Sequence, residues 1–223
     1  MTDDLDTRFD ICTRSYEIGD RSLDFDSVVD PNVVFDDFLE NGSAESHRDE
    51  RMPYWAEVWT SSLLLSQHIL NGAIAPEHSV IELGCGIGIA GTIAGFVTPD
   101  VLLTDYDEAA IAFAGRNWSR HHDSPARTAL LDWRDPPSDR RYDRIIAADV
   151  AYEERAFRPL VKAFRALLAP GGHVILGEPK RPIAGAFYML LRNSGWHLER
   201  VSLPSPPGNK DGPAWIVTLS RTE

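Results

Sequence analysis

Cysteine is nearly missing from this 223-residue chain, which has only Cys12 and Cys85. Two thiols make no disulfide framework, so the fold must rest on an apolar core, and a reducing compartment, the cytoplasm, is expected. Long apolar runs are missing too. No stretch approaches the roughly 20 residues that cross a bilayer, which excludes a membrane-spanning helix. The opening Met1-Thr2-Asp3-Asp4-Leu5-Asp6 lacks the basic start of a secretory signal, and none is expected. Positive charge is scarce where negative charge is dense: residues 1–50 hold fifteen Asp and Glu against four Arg, while the remainder has nineteen acids and eighteen bases. An acidic front on a neutral body excludes nucleic acid as a substrate, because phosphate binding needs a basic surface. The front is either a solvated face or an attraction for a basic partner. Internal repeats and low-complexity tracts are absent. No metal constellation is visible either; His121 and His122 read as surface loop residues without a ligand cluster nearby.

What is present suits a soluble α/β chain with one principal domain. Residues 1–50 form an acidic extension and residues 51–223 the main domain. In the extension, Arg8–Val29 alternates loosely as a hairpin turning at Gly19-Asp20. A short helix over Asn32–Leu39 and a polar loop over Glu40–Glu50 follow. Pro53-Tyr54-Trp55-Ala56-Glu57-Val58-Trp59 is dense in aromatics and leads into a helix ending near Leu70. Each aromatic alone reads as core packing. Together, just ahead of a glycine-rich turn, they suggest a cover over a cation, since aromatic faces attract one.

That turn is Val80-Ile81-Glu82-Leu83-Gly84-Cys85-Gly86-Ile87-Gly88-Ile89-Ala90-Gly91, a strand, a glycine turn and a helix start. The alternate glycines let the backbone turn tightly and approach a ligand, and the helix start offers unpaired N–H groups. Two registers compete. Gly86-x-Gly88-x-x-Gly91, with Asp105 further on as ribose partner, fits a dinucleotide. Glu82-x-Gly84-x-Gly86-x-Gly88 instead sets an acid before three glycines, and resembles the first motif of class I S-adenosylmethionine methyltransferases. A pyrophosphate has no use for a carboxylate at Glu82, whereas a cationic cofactor has.

Five strands alternate with helices after Trp59. They are Val80–Leu83, Val101–Asp105, Thr128–Leu131, Tyr142–Asp149 and His173–Gly177, and Pro170-Gly171-Gly172 is expected to stop the helix before the last. Trp196–Leu203 and Ala214–Ser220 close the chain as two strands joined by the loop Pro204–Pro213. The alternation predicts a doubly wound, mostly parallel seven-stranded sheet with a C-terminal antiparallel hairpin. That ending is the habit of seven-strand methyltransferases.

Pro53-Tyr54-Trp55-Ala56 with Trp59, the Glu82 motif and Asp149-x-x-Tyr152 together resemble family 16 of the seven-strand methyltransferases, many of which methylate protein lysines. Gly177-Glu178-Pro179-x-Arg181-Pro182 is similar to the lysine methyltransferase of the electron-transfer flavoprotein β subunit and its bacterial relatives. The resemblance runs from about Met52 onward. It implies S-adenosylmethionine as cofactor, held by Trp59, Glu82, Gly84, Gly86 and Gly88, by Asp105 at the ribose, by Asp132 and Trp133 at the adenine, and by Asp149. It also implies Asp149 and Tyr152 as the residues that hold the acceptor amine. The acceptor is a protein lysine or, alternatively, a small molecule of the nicotinamide type; a non-catalytic binding protein on the same fold is the third reading. The oligomeric state is not written in the sequence.

Overall fold

The computed structural model describes residues 5–43, 52–204 and 212–222. Leu5–Arg8 (α1) precedes an antiparallel hairpin, Ile11–Ile18 (β1) and Arg21–Val28 (β2), whose turn is made possible by Gly19 at φ 65°. Pro31–Asn41 (α2) follows, capped by the Asp30 carboxylate, which accepts from the Asn32 N–H. Most of the polar stretch expected as a loop, residues 44–50, lies outside the described residues.

The main sheet begins after Thr60–His68 (α3). Its members are Val80–Leu83 (β3), Val101–Asp105 (β4), Thr128–Leu130 (β5), Tyr142–Ala148 (β6), Leu168–Pro179 (β7), Trp196–Leu203 (β8) and Ala214–Arg221 (β9). Between them lie the helices Ile89–Ala94 (α4), Glu108–His121 (α5), Glu154–Leu167 (α6) and Ala184–Asn193 (α7). The order across the sheet is β5-β4-β3-β6-β7-β9-β8, and β9 alone runs opposite to the rest of the sheet. The expected mixed seven-stranded sheet is therefore present. Both faces are covered: α4 and α5 pack on one core, α6 and α7 on the other. All four residues of β3 are buried, as a central parallel strand requires. The chain leaves β3 toward β4 on one side and comes back to β6 on the other. This switch of direction opens a crevice beyond the carboxyl ends of these strands.

One strand differs from expectation in its bounds: β7 runs over Leu168–Pro179 rather than His173–Gly177. The helix α6 ends at Leu167, ahead of Pro170-Gly171-Gly172, because Leu168 already pairs with Tyr142. The pairing then jumps to Arg144 with His173, and the residues between are taken up as an irregularity in β7 in which Gly171 has φ 75°. The loop between β8 and β9 falls largely on residues 205–211, outside the described residues. Among the described residues, no helix is long and apolar enough to cross a membrane.

The acidic extension is more than a solvated face. Ile18, Phe25 and Val28 join the same core as Phe113 and Trp118 of α5. Between them sits Asp26, 2% exposed, whose carboxylate takes Arg116 Nε at 2.7 Å, Arg120 Nη2 at 2.5 Å and the Thr13 hydroxyl at 2.7 Å. Burial pushes its pKa up, but the bonds from Arg120, Thr13 and Arg116 outweigh that and hold it below the ordinary value. A depressed carboxyl pKa means stability present above the ordinary pKa and lost as pH falls through the lowered one. Both arginines are partly exposed, so water screens the pair and the contribution is modest. Asp26→Ala is expected to lower unfolding free energy by about 2 kcal/mol near neutral pH, less than the loss for a fully buried pair. Equal urea midpoints for variant and parent at neutral pH would refute it.

Candidate active site

The crevice forms because three strands end side by side and each delivers an acid. Glu82 lies in β3, Asp105 closes β4, and Asp149 follows β6. After β3 the backbone turns through Gly84, Gly86 and Gly88, at φ 66°, 53° and 84°. A side chain is excluded by packing as well as by φ at Gly88 and crowded at Gly84. A Cβ on Gly88 would lie 2.8 Å from the Ala114 Cβ, and one on Gly84 would lie 3.1 Å from both Trp133 and Val150. The turn is thereby pressed against α5 on one side and the crevice on the other.

Glu82 is 2% exposed and lines the crevice; its Oε2 accepts from the Gly91 N–H at 2.8 Å. Burial pushes its pKa up to about 8, against the lowering effect of the Gly91 bond and with a further push from Asp105. Asp105 is buried too. Its Oδ2 accepts from the Gly86 N–H at 2.9 Å and its Oδ1 from the Asp107 N–H at 3.2 Å, so it fastens the glycine turn to β4. Burial raises it to about 6 despite those bonds. Asp107, not Asp105, caps α5, accepting from Ala109 N–H at 2.8 Å.

Asp149 adopts φ 57°, the sole positive φ at a non-glycine among the described residues, a conformation that costs energy and clusters at functional sites. Its N–H donates to Gly177 O at 2.8 Å, which ties the residue to β7. Its carboxylate is paired with Arg181 and lies 3.5 Å from the Ser61 hydroxyl. Tyr152 meets Tyr54 edge to face at 5.1 Å, and burial, foremost, holds its phenol well above the ordinary pKa. Trp59 donates its indole N–H to Tyr54 O at 3.1 Å. Tyr54, Trp55 and Trp59 all line the crevice, so the aromatic run does form one of its walls.

Eight of the nine residues singled out from the sequence as cofactor contacts are thus near one another, though Gly88 faces Ala114 rather than the lining. Asp132 is the exception. Trp133 lines the crevice, but the partly exposed Asp132 carboxylate is held by Arg134 Nε and Nη2, at 2.9 Å and 2.6 Å from its Oδ2. The charge of a neighbour two residues on captured it. The sequence motif that contains Arg181 assigns it no role in the site. Its signal was its place directly after β7, the strand beside β6.

This cradle offers two buried carboxylates, a glycine path open to close approach, and an indole. The set fits a ligand with a cationic end, a diol and a flat ring. A family profile described as lysine methyltransferase matches residues 46–192. The chain belongs to that family. It is 30% identical over 158 residues to the mouse EEF1A lysine methyltransferase 3, covering 67% of each chain. It is 31% identical over 132 residues to the protein N-lysine methyltransferase METTL21A of Xenopus tropicalis, covering 56% of this chain and 61% of the frog protein. The match to the frog protein thus spans less than two thirds of that relative. Among solved structures, the fold resembles the N-methyltransferase NodS from Bradyrhizobium japonicum in complex with S-adenosyl-l-homocysteine, with TM-score 0.56 and 20% identity over 74% of this chain and 85% of that one. It also resembles the ribosomal protein L11 methylase from Lactobacillus delbrueckii, with TM-score 0.57 and 19% identity over 75% and 81%. Family membership makes this an S-adenosylmethionine-dependent methyltransferase, so the dinucleotide register is set aside.

The Glu82 carboxyl gives this lysine methyltransferase family member a pH signature. Its pKa is raised on folding, so the folded state binds a proton that the unfolded state has lost, and stability falls as pH rises from about 4.5 to about 8. A cofactor ammonium beside Glu82 favours its ionised form and opposes that rise. Binding of S-adenosylhomocysteine at pH 7 is therefore expected to release up to about one proton. Calorimetry in buffers of different ionisation enthalpy measures it, and proton uptake on binding would contradict the arrangement.

Proposed function

We propose that this chain transfers a methyl group from S-adenosylmethionine to the side-chain amine of a lysine in a protein. The observation that carries the proposal is the buried Asp149 carboxylate, held in a strained backbone conformation beside Tyr152 at the rim of the crevice. The names of the relatives as protein lysine methyltransferases support the same reading.

When bound, the cofactor supplies an electrophilic methyl on sulfur; the chain supplies position. Glu82 would hold the cofactor's ammonium, Asp105 the ribose hydroxyls, and Trp133 the ring. A lysine ammonium, with an ordinary pKa of about 10.4, must lose its proton to solvent water before its lone pair can attack. Tyr54, Trp59 and Tyr152 line the crevice, and aromatic faces of this kind attract the arriving ammonium. Asp149 orients the nitrogen through its remaining hydrogens. Its carboxylate is mismatched as a formal base for so weak an acid. Tyr152 stays a neutral phenol, able to accept from the amine while the lone pair faces the methyl. The two free cysteines support work in a reducing compartment, the cytoplasm.

Purified chain and tritium-labelled S-adenosylmethionine added to a cell lysate test the reading. Label is expected in a discrete protein band and absent with Asp149→Asn. Label confined to small solutes would overturn the protein acceptor in favour of a small-molecule amine.

A further inference from the structure

Behind the crevice lies a second cavity of about 450 Å³, lined in part by Ser61, Pro179, Arg181 and Pro182. Two residues, Trp59 and Asp149, belong to both linings and form the seam between the spaces. Arg181 sits on that seam. Its guanidinium is paired with the Asp149 carboxylate and stands 5.5 Å over the Trp59 ring. A carboxylate joined to an indole face is the pair of groups that recognises an organic cation in a dry site.

We propose that Arg181 is an exchangeable occupant of the acceptor's ammonium seat, and that the second cavity receives its guanidinium when an ammonium-bearing side chain takes the Asp149–Trp59 site. The inference rests on the reading of the acceptor as an amine. Three observations shape it. The Asp149 side chain is 5% exposed whereas that of Arg181 is 30% exposed, so the carboxylate is fixed and the cation is the part able to leave. A buried carboxylate deprived of its partner is strongly penalised, so Arg181 leaves only as another cation arrives. A neutral side chain cannot drive the exchange, which makes the seat selective for charge before any chemistry occurs. Finally, Pro179 and Pro182 flank Lys180-Arg181 and restrict the backbone, so the exchange is a side-chain rotation rather than a loop movement. Lys180 does not compete for the seat: its Nζ is held by the Ser202 hydroxyl at 2.7 Å and stands 4.3 Å over the Trp215 ring.

The probes are Nα-acetyl-lysine methylamide and its neutral counterpart, Nα-acetyl-norleucine methylamide, titrated calorimetrically into the full chain. Arg181→Met is expected to bind the lysine probe at least tenfold more tightly than the parent, while Arg181→Lys stays near the parent. The norleucine probe should gain nothing, and adding Asp149→Asn to Arg181→Met should erase the gain. Equal or weaker binding of the lysine probe by Arg181→Met would overturn the exchange and make Arg181 a permanent brace for Asp149. A measurement on the parent chain needs no variant. Hydrogen exchange at the Arg181 Nη1–H groups, followed by ¹⁵N resonance, should speed up with the lysine probe and not with norleucine; no acceleration overturns the proposal. These readouts are of binding, so they are separable from the lysate experiment. A chain that labels protein yet shows no gain in Arg181→Met loses the exchange alone. A chain that shows the gain but labels only small solutes keeps the exchange and loses the protein acceptor.

Discussion

Asp105→Ala is expected to weaken S-adenosylhomocysteine binding about a hundredfold or more, while the chain still unfolds cooperatively. The carboxylate offers two oxygens to a ribose diol, and hydrogen bonds to a charged group contribute about 1.5–3 kcal/mol each. It also accepts from the Gly86 and Asp107 N–H groups, so its loss loosens the glycine turn at the moment the ribose contact disappears. Stability should suffer less than binding. Burial raises the Asp105 pKa to about 6, so its ionised form is itself a burden near neutral pH, and removing it offsets part of the cost of two orphaned donors. The discriminating observation is the cofactor-induced rise in melting temperature, which should nearly vanish in the variant by linkage of ligand to the folded state. Calorimetric affinity within threefold of the parent would move the ribose contact elsewhere.

Tyr152→Phe is expected to cut turnover by one to two orders of magnitude with cofactor affinity unchanged, the magnitude of a lost positioning contact in the transition state. The substitution keeps the ring against Tyr54, 5.1 Å away, and deletes only the hydroxyl, so a residue that merely packs would tolerate it. A phenol of ordinary pKa, about 10, is already neutral near pH 7; burial pushes that of Tyr152 further up, and a neutral oxygen suits the acceptance of an amine hydrogen. Methyl transfer to the labelled acceptor, measured beside calorimetric binding of S-adenosylhomocysteine, separates the two outcomes. Unchanged turnover would reduce Tyr152 to packing and leave amine contacts to Asp149 and Trp59.

The parts of the molecule governed by local pattern were legible in the sequence. Trp196–Leu203 has the strand bounds expected of it, and Glu82, the glycines and Asp105 meet because a strand–turn–helix unit is short-range. Where distant partners decide, the pattern ran out. The four residues 25–28 at the end of β2 are all buried, including Asp26, although the surrounding charge balance suggested solvent. Two arginines of α5, some ninety residues on, neutralise that carboxylate, and composition cannot reveal such a pairing. The same holds for Arg181, thirty-two residues from Asp149 in the chain and its neighbour only through the parallel pairing of β6 with β7. Asp132 carries a pairing the pattern did not indicate, with Arg134 two residues on. The early start of β7 was missed because the pairing of Leu168 with Tyr142 is made by a distant partner.

The position of β9 between β7 and β8 has a consequence for biosynthesis. A ribosome makes β8 before β9, yet β8 has no neighbour in the sheet except β9. Until β9 emerges, β7 presents an open edge and β8 has nothing to pair with, the condition in which nascent chains are prone to wrong strand pairing. When β9 slots in, Glu178 pairs with Trp215 and Pro179 with Ala214, and the chain just ahead of Arg181 gains its ladder. The ladder beside the seam that holds Asp149 and Arg181 is thus complete only once β9, made after β8, has inserted between β7 and β8.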